Sequence, residues 1–308
     1  MLKESILINK LKLSNRLIMA PMATEKSNDG LVSDALCQYY AERSGDIAMI
    51  ITEHAYILKE GQASKGQLSV GSNADIEGLK KLTSAIHSQP DTKVFSQVSH
   101  AGCKAKTEIT GCEVVDVNTL SLEHMEDIKK AFVTSALLIK EAGFDGVQIH
   151  GAHGYLLNQF YSPITNQRND KYGENRILFP CEVVEAVRNA VGEDYPISYR
   201  LGALDYEESG NLLEDAIYAS KQLEKAGVDE LDISGGMKGF MIPGVTTPGW
   251  FSNVSHSIKE NVSIPVSVAG GITSKEIAER LLQNNDCDIV SVGRVLLKDP
   301  QWAKSVLQ

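Results

Sequence analysis

With 308 residues the chain is long enough for two ordinary domains or for one large α/β barrel, a fold that typically runs ~250 residues. Lys and Arg number 30 against 40 Asp and Glu; the resulting formal charge of −10 repels phosphate backbones, and no compact basic run offsets it, so nucleic-acid binding is not expected. Five scattered cysteines, odd in number and without a Cys-x-x-Cys, disfavour a disulfide framework, a zinc site and an iron–sulfur cluster, which fits a reducing cytoplasm.

The start, MLKESILINKLKLSNRL, lacks a long apolar core and a small-residue cleavage pattern, so no signal peptide is expected. No stretch of about 18 apolar residues reads as a membrane span. What recurs instead is an apolar strand-like run, a polar or glycine-containing turn, and a helical pattern. The runs are Leu17–Ala20, Ile47–Thr52, Val94–Val98, Gly146–His150, Ile197–Leu201, Glu230–Ser234, Pro265–Ala269 and Asp288–Val292. Their nearly continuous apolar character suits parallel strands covered on both faces, and eight is the number of a (β/α)8 TIM barrel.

Helical spacing predicts helices over 33–44, 75–87, 126–142, 174–191, 211–226 and 274–282, with a shorter pattern over 254–260. Ser33 and Ser274 stand where N-caps are needed. The stretches 101–124 and 237–252 lack periodicity and follow strands, which places them on the C-terminal rim where barrel enzymes keep their loops. Fifteen residues follow Gly293, enough for one short helix, so a single barrel domain over 1–308 is expected to end in a shortened form. A doubly wound open sheet is the structural rival. It places a G-x-G-x-x-G after its first strand, where LIMAPMATEK stands here.

In a barrel the residues that end the runs share one rim. The first run ends in Ala20-Pro21-Met22-Ala23, whose small residues would expose main-chain polar groups to a flat ligand; an ordinary turn reads the same way. The second leads to His54, and the third carries Gln97, whose amide suits either a heterocycle edge or a neighbouring strand. Arg200 interrupts an apolar run and needs an anion, an acceptor-rich ring or a buried ion pair. Runs seven and eight end in Gly270-Gly271 and Gly293-Arg294, at the place where barrels usually cradle a phosphate. The fourth run opens GVQIHGAHGYLLNQFYSP, which supplies His150, His153 and Tyr155 within six residues. Imidazole and phenol both donate hydrogen bonds while neutral, so the three could polarise one carbonyl or nitro oxygen. A metal reading fails for want of a third ligand beside His-x-x-His, and packed or merely polar histidines remain open.

With these residues in place, the chain resembles the old yellow enzyme family of NAD(P)H:flavin oxidoreductases. The resemblance runs from about Asn15 to Trp302 and rests on NRLIMAPM, SQVSHAG, FDGVQIHGAHGYLLNQFYSPITNQRNDKYG, GENRILFPCEVVEAVR, SVAGGI and VSVGRVLLKDPQW. It implies FMN held by Ala20, Pro21, Met22, Ala23, His54, Gln97, His150, Arg200, Gly270, Gly271, Gly293 and Arg294, with NADH or NADPH as electron donor. It further implies that His150 and His153 grip the activating oxygen of a small substrate, an α,β-unsaturated carbonyl, enoate or nitro compound, and that Tyr155 supplies a proton. The chain departs from the family in the short Tyr172–Arg176 connection, in Cys103 after His-Ala-Gly, and in Ala23 where many relatives carry Thr or Cys. From the fifteen residues after Gly293, no cysteine-rich segment or second nucleotide-binding domain is expected beyond the eighth run. Two alternatives keep the flavin: a dehydrogenase of amines or other small substrates, and a subunit reduced by a partner protein. A homo-oligomer is compatible with this reading, and no membrane partner is expected.

Overall fold

The computed structural model describes residues 1–72 and 74–308. A hairpin of β1 (Ile6–Ile8) and β2 (Leu11–Leu13) comes first, turning at Asn9, which takes the left-handed conformation (φ 54°) that tight hairpins require. Then follow β3 (Leu17–Met19), β4 (Met49–Tyr56), β5 (Lys93–Ser99), β6 (Gly146–Gly151), β7 (Ile197–Leu204), β8 (Glu230–Gly235), β9 (Val266–Val268) and β10 (Ile289–Val292). These eight pair in parallel and in chain order, and β10 closes on β3. This is the (β/α)8 barrel that the eight runs predict.

The helices of the outer layer begin where polar side chains meet free N–H groups. Ser33 accepts from Leu36 N–H at the start of Asp34–Ala41, Asp75 from Glu77 N–H at Ile76–His87, and Ser274 from Ile277 N–H at Lys275–Gln283. The long helix Leu122–Glu141 starts four residues earlier than periodicity predicts, because the Ser121 hydroxyl accepts from His124 N–H. The helix expected over 174–191 is divided into Lys171–Glu174 and Leu178–Val191, with Asn175 outside the helical region (φ −123°, ψ 88°). After β10 come two small helices, Arg294–Lys298 and Trp302–Leu307, rather than the one expected.

The hairpin is the element that periodicity does not reveal. Ile8 and Leu13 pack with Ile18, Met49, Ile51, Phe95 and Ile289 in a core of their own, so one end of the barrel is plugged by apolar side chains. Above that plug the interior turns polar, as the strand register shows. Gln97 pairs with Gln148, Gln148 with Ser198 and Ser198 with Glu230; one step higher, His150 pairs with Arg200, Arg200 with Asp232 and Asp232 with Ser267. Their side chains meet through hydrogen bonds and one ion pair, which fixes them on the inner face. Among the described residues no helix is long and apolar enough to cross a membrane.

Candidate active site

The polar belt explains what Gln97 and Arg200 do inside strands. Gln97 Nε2 donates to Gln148 Oε1 at 2.7 Å, and Gln148 Nε2 donates to Ser198 Oγ at 2.9 Å and to Asp232 Oδ2 at 3.2 Å. The neighbouring-strand reading of Gln97 is thus met by its amide N–H, while its amide oxygen has no partner among the described residues. Arg200, 4 % exposed, pairs with Asp232 at 3.4 Å, while its Nε is buried without a partner. A buried guanidinium N–H left unpaired is costly, and the donor is satisfied once an acceptor-rich ligand sits above it.

The turn after β6 carries the second set of groups. His153 adopts a left-handed backbone (φ 59°) and Gly154 follows at φ 70°. The bend is held by His153 N–H to Gly235 O at 3.2 Å, Gly154 N–H to Asn158 Oδ1 at 2.7 Å, and the Lys104 ammonium on His153 O at 2.5 Å. Gly151 is needed because the Tyr199 ring fills the space that a Cβ would take. The outcome is a compact cluster: His150 and His153 rings stand 5.2 Å apart, His150 and Tyr155 4.9 Å, and His54 lies 5.4 Å from Tyr155 and 6.3 Å from His150.

Burial sets the charge of these groups. Desolvation pushes the imidazoles of His150 and His153 well below the usual histidine range, assisted by Arg200 and Lys104, and lowers His54 to about 4. The Tyr155 phenol is raised to about 12 by burial. All four are therefore neutral proton donors at ordinary pH. His150 Nδ1 accepts from Ala152 N–H at 3.3 Å, which places its proton on Nε2. His153 Nε2 lies 2.8 Å from Ser234 Oγ, so its Nδ1 is the nitrogen left over.

Beneath, the strand ends offer unpaired main-chain donors. Ala20 N–H is taken by Val292 O at 2.8 Å, but among the described residues Met22, Ala23, Gly270, Gly271, Gly293 and Arg294 give their N–H groups to no backbone acceptor outside helix and strand ladders. Gly270 and Gly271 have φ of 134° and 66° and pack against Trp250, while the Cβ position of Gly293 lies 2.6 Å from Met22 Sδ. These glycines therefore serve side-chain packing as well as any ligand. Arg294 is exposed and lies over the Trp250 ring at 5.2 Å. An unpaired guanidinium N–H, a free amide oxygen and free N–H groups beside a cation match the ring edges and phosphate of FMN, so the residues present fit that cofactor. Among the described residues no group of three or more His, Cys, Asp or Glu is placed to hold a metal ion.

Reading the sequence misses Gln148, Ser234, Gln67, Lys104 and Trp250. The alternation Glu230, Asp232, Ser234 along one strand was the available signal for Ser234; Gln67 and Trp250 lie in aperiodic loops that carry none.

Comparison with known proteins gives a consistent picture. The model of the NADH:flavin oxidoreductase / NADH oxidase family matches residues 2–308. An NADH oxidase of Thermoanaerobacter brockii is 39 % identical over 96 % of this chain, which spans 49 % of that protein. An NADPH dehydrogenase of Bacillus cytotoxicus is 33 % identical over 97 % of the chain and 89 % of its own length. Among solved structures, a 2-naphthoyl-CoA reductase in complex with 2-naphthoyl-CoA superposes with a TM-score of 0.91 at 25 % identity, covering 99 % of this chain and 52 % of that one. An old yellow enzyme homologue from Zymomonas mobilis superposes with a TM-score of 0.87 at 23 % identity, over 98 % of this chain and 91 % of its own, which speaks for the fold. The chain thus spans about half the length of two of these relatives and most of the other two.

Proposed function

The chain belongs to the NADH:flavin oxidoreductase / NADH oxidase family, the old yellow enzyme family, and from that premise we propose that it is an FMN-dependent ene-reductase. It takes electrons from NADH or NADPH and reduces a small α,β-unsaturated carbonyl, enoate or nitro compound. The observation that carries this reading is the cluster of neutral donors at the open end of the barrel, with the His150 ring 5.2 Å from that of His153 and 4.9 Å from that of Tyr155.

Arg200, Gln97, the Ala20–Ala23 main chain, Gly270–Gly271 and Gly293–Arg294 are the groups that would hold FMN, and when bound it supplies the hydride. The remaining work falls to the chain. His150 Nε2–H and His153 Nδ1–H bind the activating oxygen, and their bonds strengthen as that oxygen gains negative charge. Being neutral, they stabilise this charge without first losing a proton to it. Tyr155, protonated up to about pH 12, donates to the substrate carbon α to the activating group. The left-handed turn fixes the spacing of the donors before substrate arrives.

The test is anaerobic. Addition of NADPH or NADH should bleach the flavin band of the purified protein, and a cyclic enone should restore it. His150→Ala with His153→Ala should cut enone turnover by about a hundredfold or more while FMN stays bound. Bleaching without reoxidation by any activated alkene would refute the proposed reaction; failure to bleach would point to a partner protein as electron donor.

A further inference from the structure

We propose that His54, fixed in one tautomer by Gln67, is a third imidazole donor to the substrate and adapts the site to an activating group with two oxygens, a nitroalkene in preference to an enone. The proposal rests on the ene-reductase reading and names its substrate class.

The argument begins with Gln67. Its Oε1 accepts from Ala63 N–H at 2.6 Å, which settles the orientation of the amide. Nε2 then faces His54 Nδ1 at 2.7 Å, His54 O at 3.1 Å and Ser99 Oγ at 3.3 Å. An amide nitrogen can only donate, so His54 Nδ1 accepts and the imidazole proton sits on Nε2. Gln67 itself is 2 % exposed and held by Ser64 O through its own N–H, so this partner is rigid.

His54 Nε2 has no partner among the described residues, and it is not one of the buried polar atoms left unsatisfied. The same holds for His150 Nε2 and Tyr155 Oη. Three donors on neighbouring rings are therefore open and uncommitted. An N–H···O bond places an acceptor about 4 Å from an imidazole centroid. Rings 6.3 Å apart, as His54 and His150 are, thus reach acceptors in the space between them. Resemblance groups His54 with the cofactor residues, but its ring stands edge-on to Tyr155 at 89°, among the substrate donors.

Two donor positions suit two oxygens. When hydride adds to the β carbon of a nitroalkene, the double-bond pair moves toward nitrogen and the new negative charge is shared by both nitro oxygens. A proton delivered to the α carbon then completes the nitroalkane. His150 and His153 can hold one oxygen and His54 the other. An enone develops charge on a single oxygen and leaves His54 idle.

The test compares 1-nitrocyclohexene with 2-cyclohexenone, which share a ring, on holoenzyme. His54→Ala should lower kcat/KM for the nitroalkene about tenfold to a hundredfold and leave the enone within about threefold. His54→Gln, whose Nε2 reaches the same place, should recover most of the loss. Gln67→Leu should give a partial loss, and 15N NMR should show His54 protonated on Nε2 in the parent protein and a tautomer mixture in this variant. FMN affinity, measured by fluorescence on reconstitution, should be unchanged in all three. Equal loss for both acceptors, a parallel loss of FMN affinity, or an Nδ1–H tautomer in the parent would overturn the assignment. If the parent protein turns over neither acceptor, the ene-reductase reading fails and this inference with it; if only the His54 variants behave unexpectedly, that reading stands.

Discussion

Replacing Glu230 by Gln should make the protein more stable, and by an amount that depends on pH. Glu230 is wholly buried inside the barrel, two residues along β8 from the carboxylate of Asp232. Ser198 donates to one of its oxygens and the other has no partner. Burial first, and Asp232 second, raise its carboxyl to about 8, against about 4.3 in an unfolded chain. A group whose folded pKa is raised keeps its proton in the native state while the unfolded state has lost it. Its contribution is fully present at low pH and is lost as pH rises toward the folded value. The slope is about 1.4 kcal/mol per pH unit, so from about pH 5.5 to about pH 7.5 the native state loses about 3 kcal/mol through this group. Glutamine keeps an acceptor for Ser198, can donate to the unpartnered Ser267 hydroxyl, and does not ionise. Urea unfolding of both proteins across that range, in the same cofactor state, should show Glu230→Gln gaining on the parent as pH rises. A difference that stays flat within about 0.5 kcal/mol would show that Glu230 is ionised in the native protein and would refute the reasoning.

Other consequences follow from single contacts. Arg200→Met should remove FMN binding and also destabilise the apoprotein by about 3–5 kcal/mol, because Asp232 is left buried without its cation; reconstitution titrations and urea unfolding read the two effects separately. Tyr155→Phe should slow reoxidation of the reduced protein by substrate about a hundredfold or more and leave reduction by NAD(P)H nearly unchanged, as stopped-flow absorbance of each half-reaction would show. Gly151→Ala forces a methyl into the Tyr199 ring in a fully buried layer and should cost about 1–3 kcal/mol, with a lowered Tm.

The barrel was legible because its evidence is local and repeated. Eight apolar runs separated by capped helical patterns leave little freedom of topology once crossovers are right-handed. The cluster His150, His153, Tyr155 was legible for a similar reason: the donors are crowded into six residues with two glycines. What escaped depends on meetings between distant segments. Gln67 reaches His54 only because β4 runs on to Tyr56, past the apolar run ending at Thr52, and the loop after it folds back to place Leu68 O on Tyr56 N–H. The plugging hairpin was missed because three-residue strands are too short for a periodic signal. The acidic interior of β8 was written as Glu230, Asp232 and Ser234 at every second position, yet an apolar-run reading passes over it.

The three histidines share a device that explains why they work together. Each has one nitrogen committed: His150 to Ala152 N–H in its own turn, His54 to the Gln67 amide and His153 to the Ser234 hydroxyl on other segments. For His150 and His54 that partner is itself a donor, so the committed nitrogen must remain unprotonated. A charged imidazolium would set N–H against N–H and lose the bond. Neutrality and tautomer are therefore one constraint, imposed by geometry in the same sense as burial imposes it through desolvation. For His153 the serine can donate or accept, so this lock is weaker there, and burial with the nearby charges of Arg200 and Lys104 must hold it neutral. The positive charge of the cluster is thus kept on Arg200 and Lys104, while the uncommitted nitrogens of His150 and His54 are uncharged donors whose proton positions the fold itself sets. Such a cluster answers negative charge that develops during a reaction more than charge already present on a ligand, which is the discrimination that the proposed reduction of activated alkenes requires.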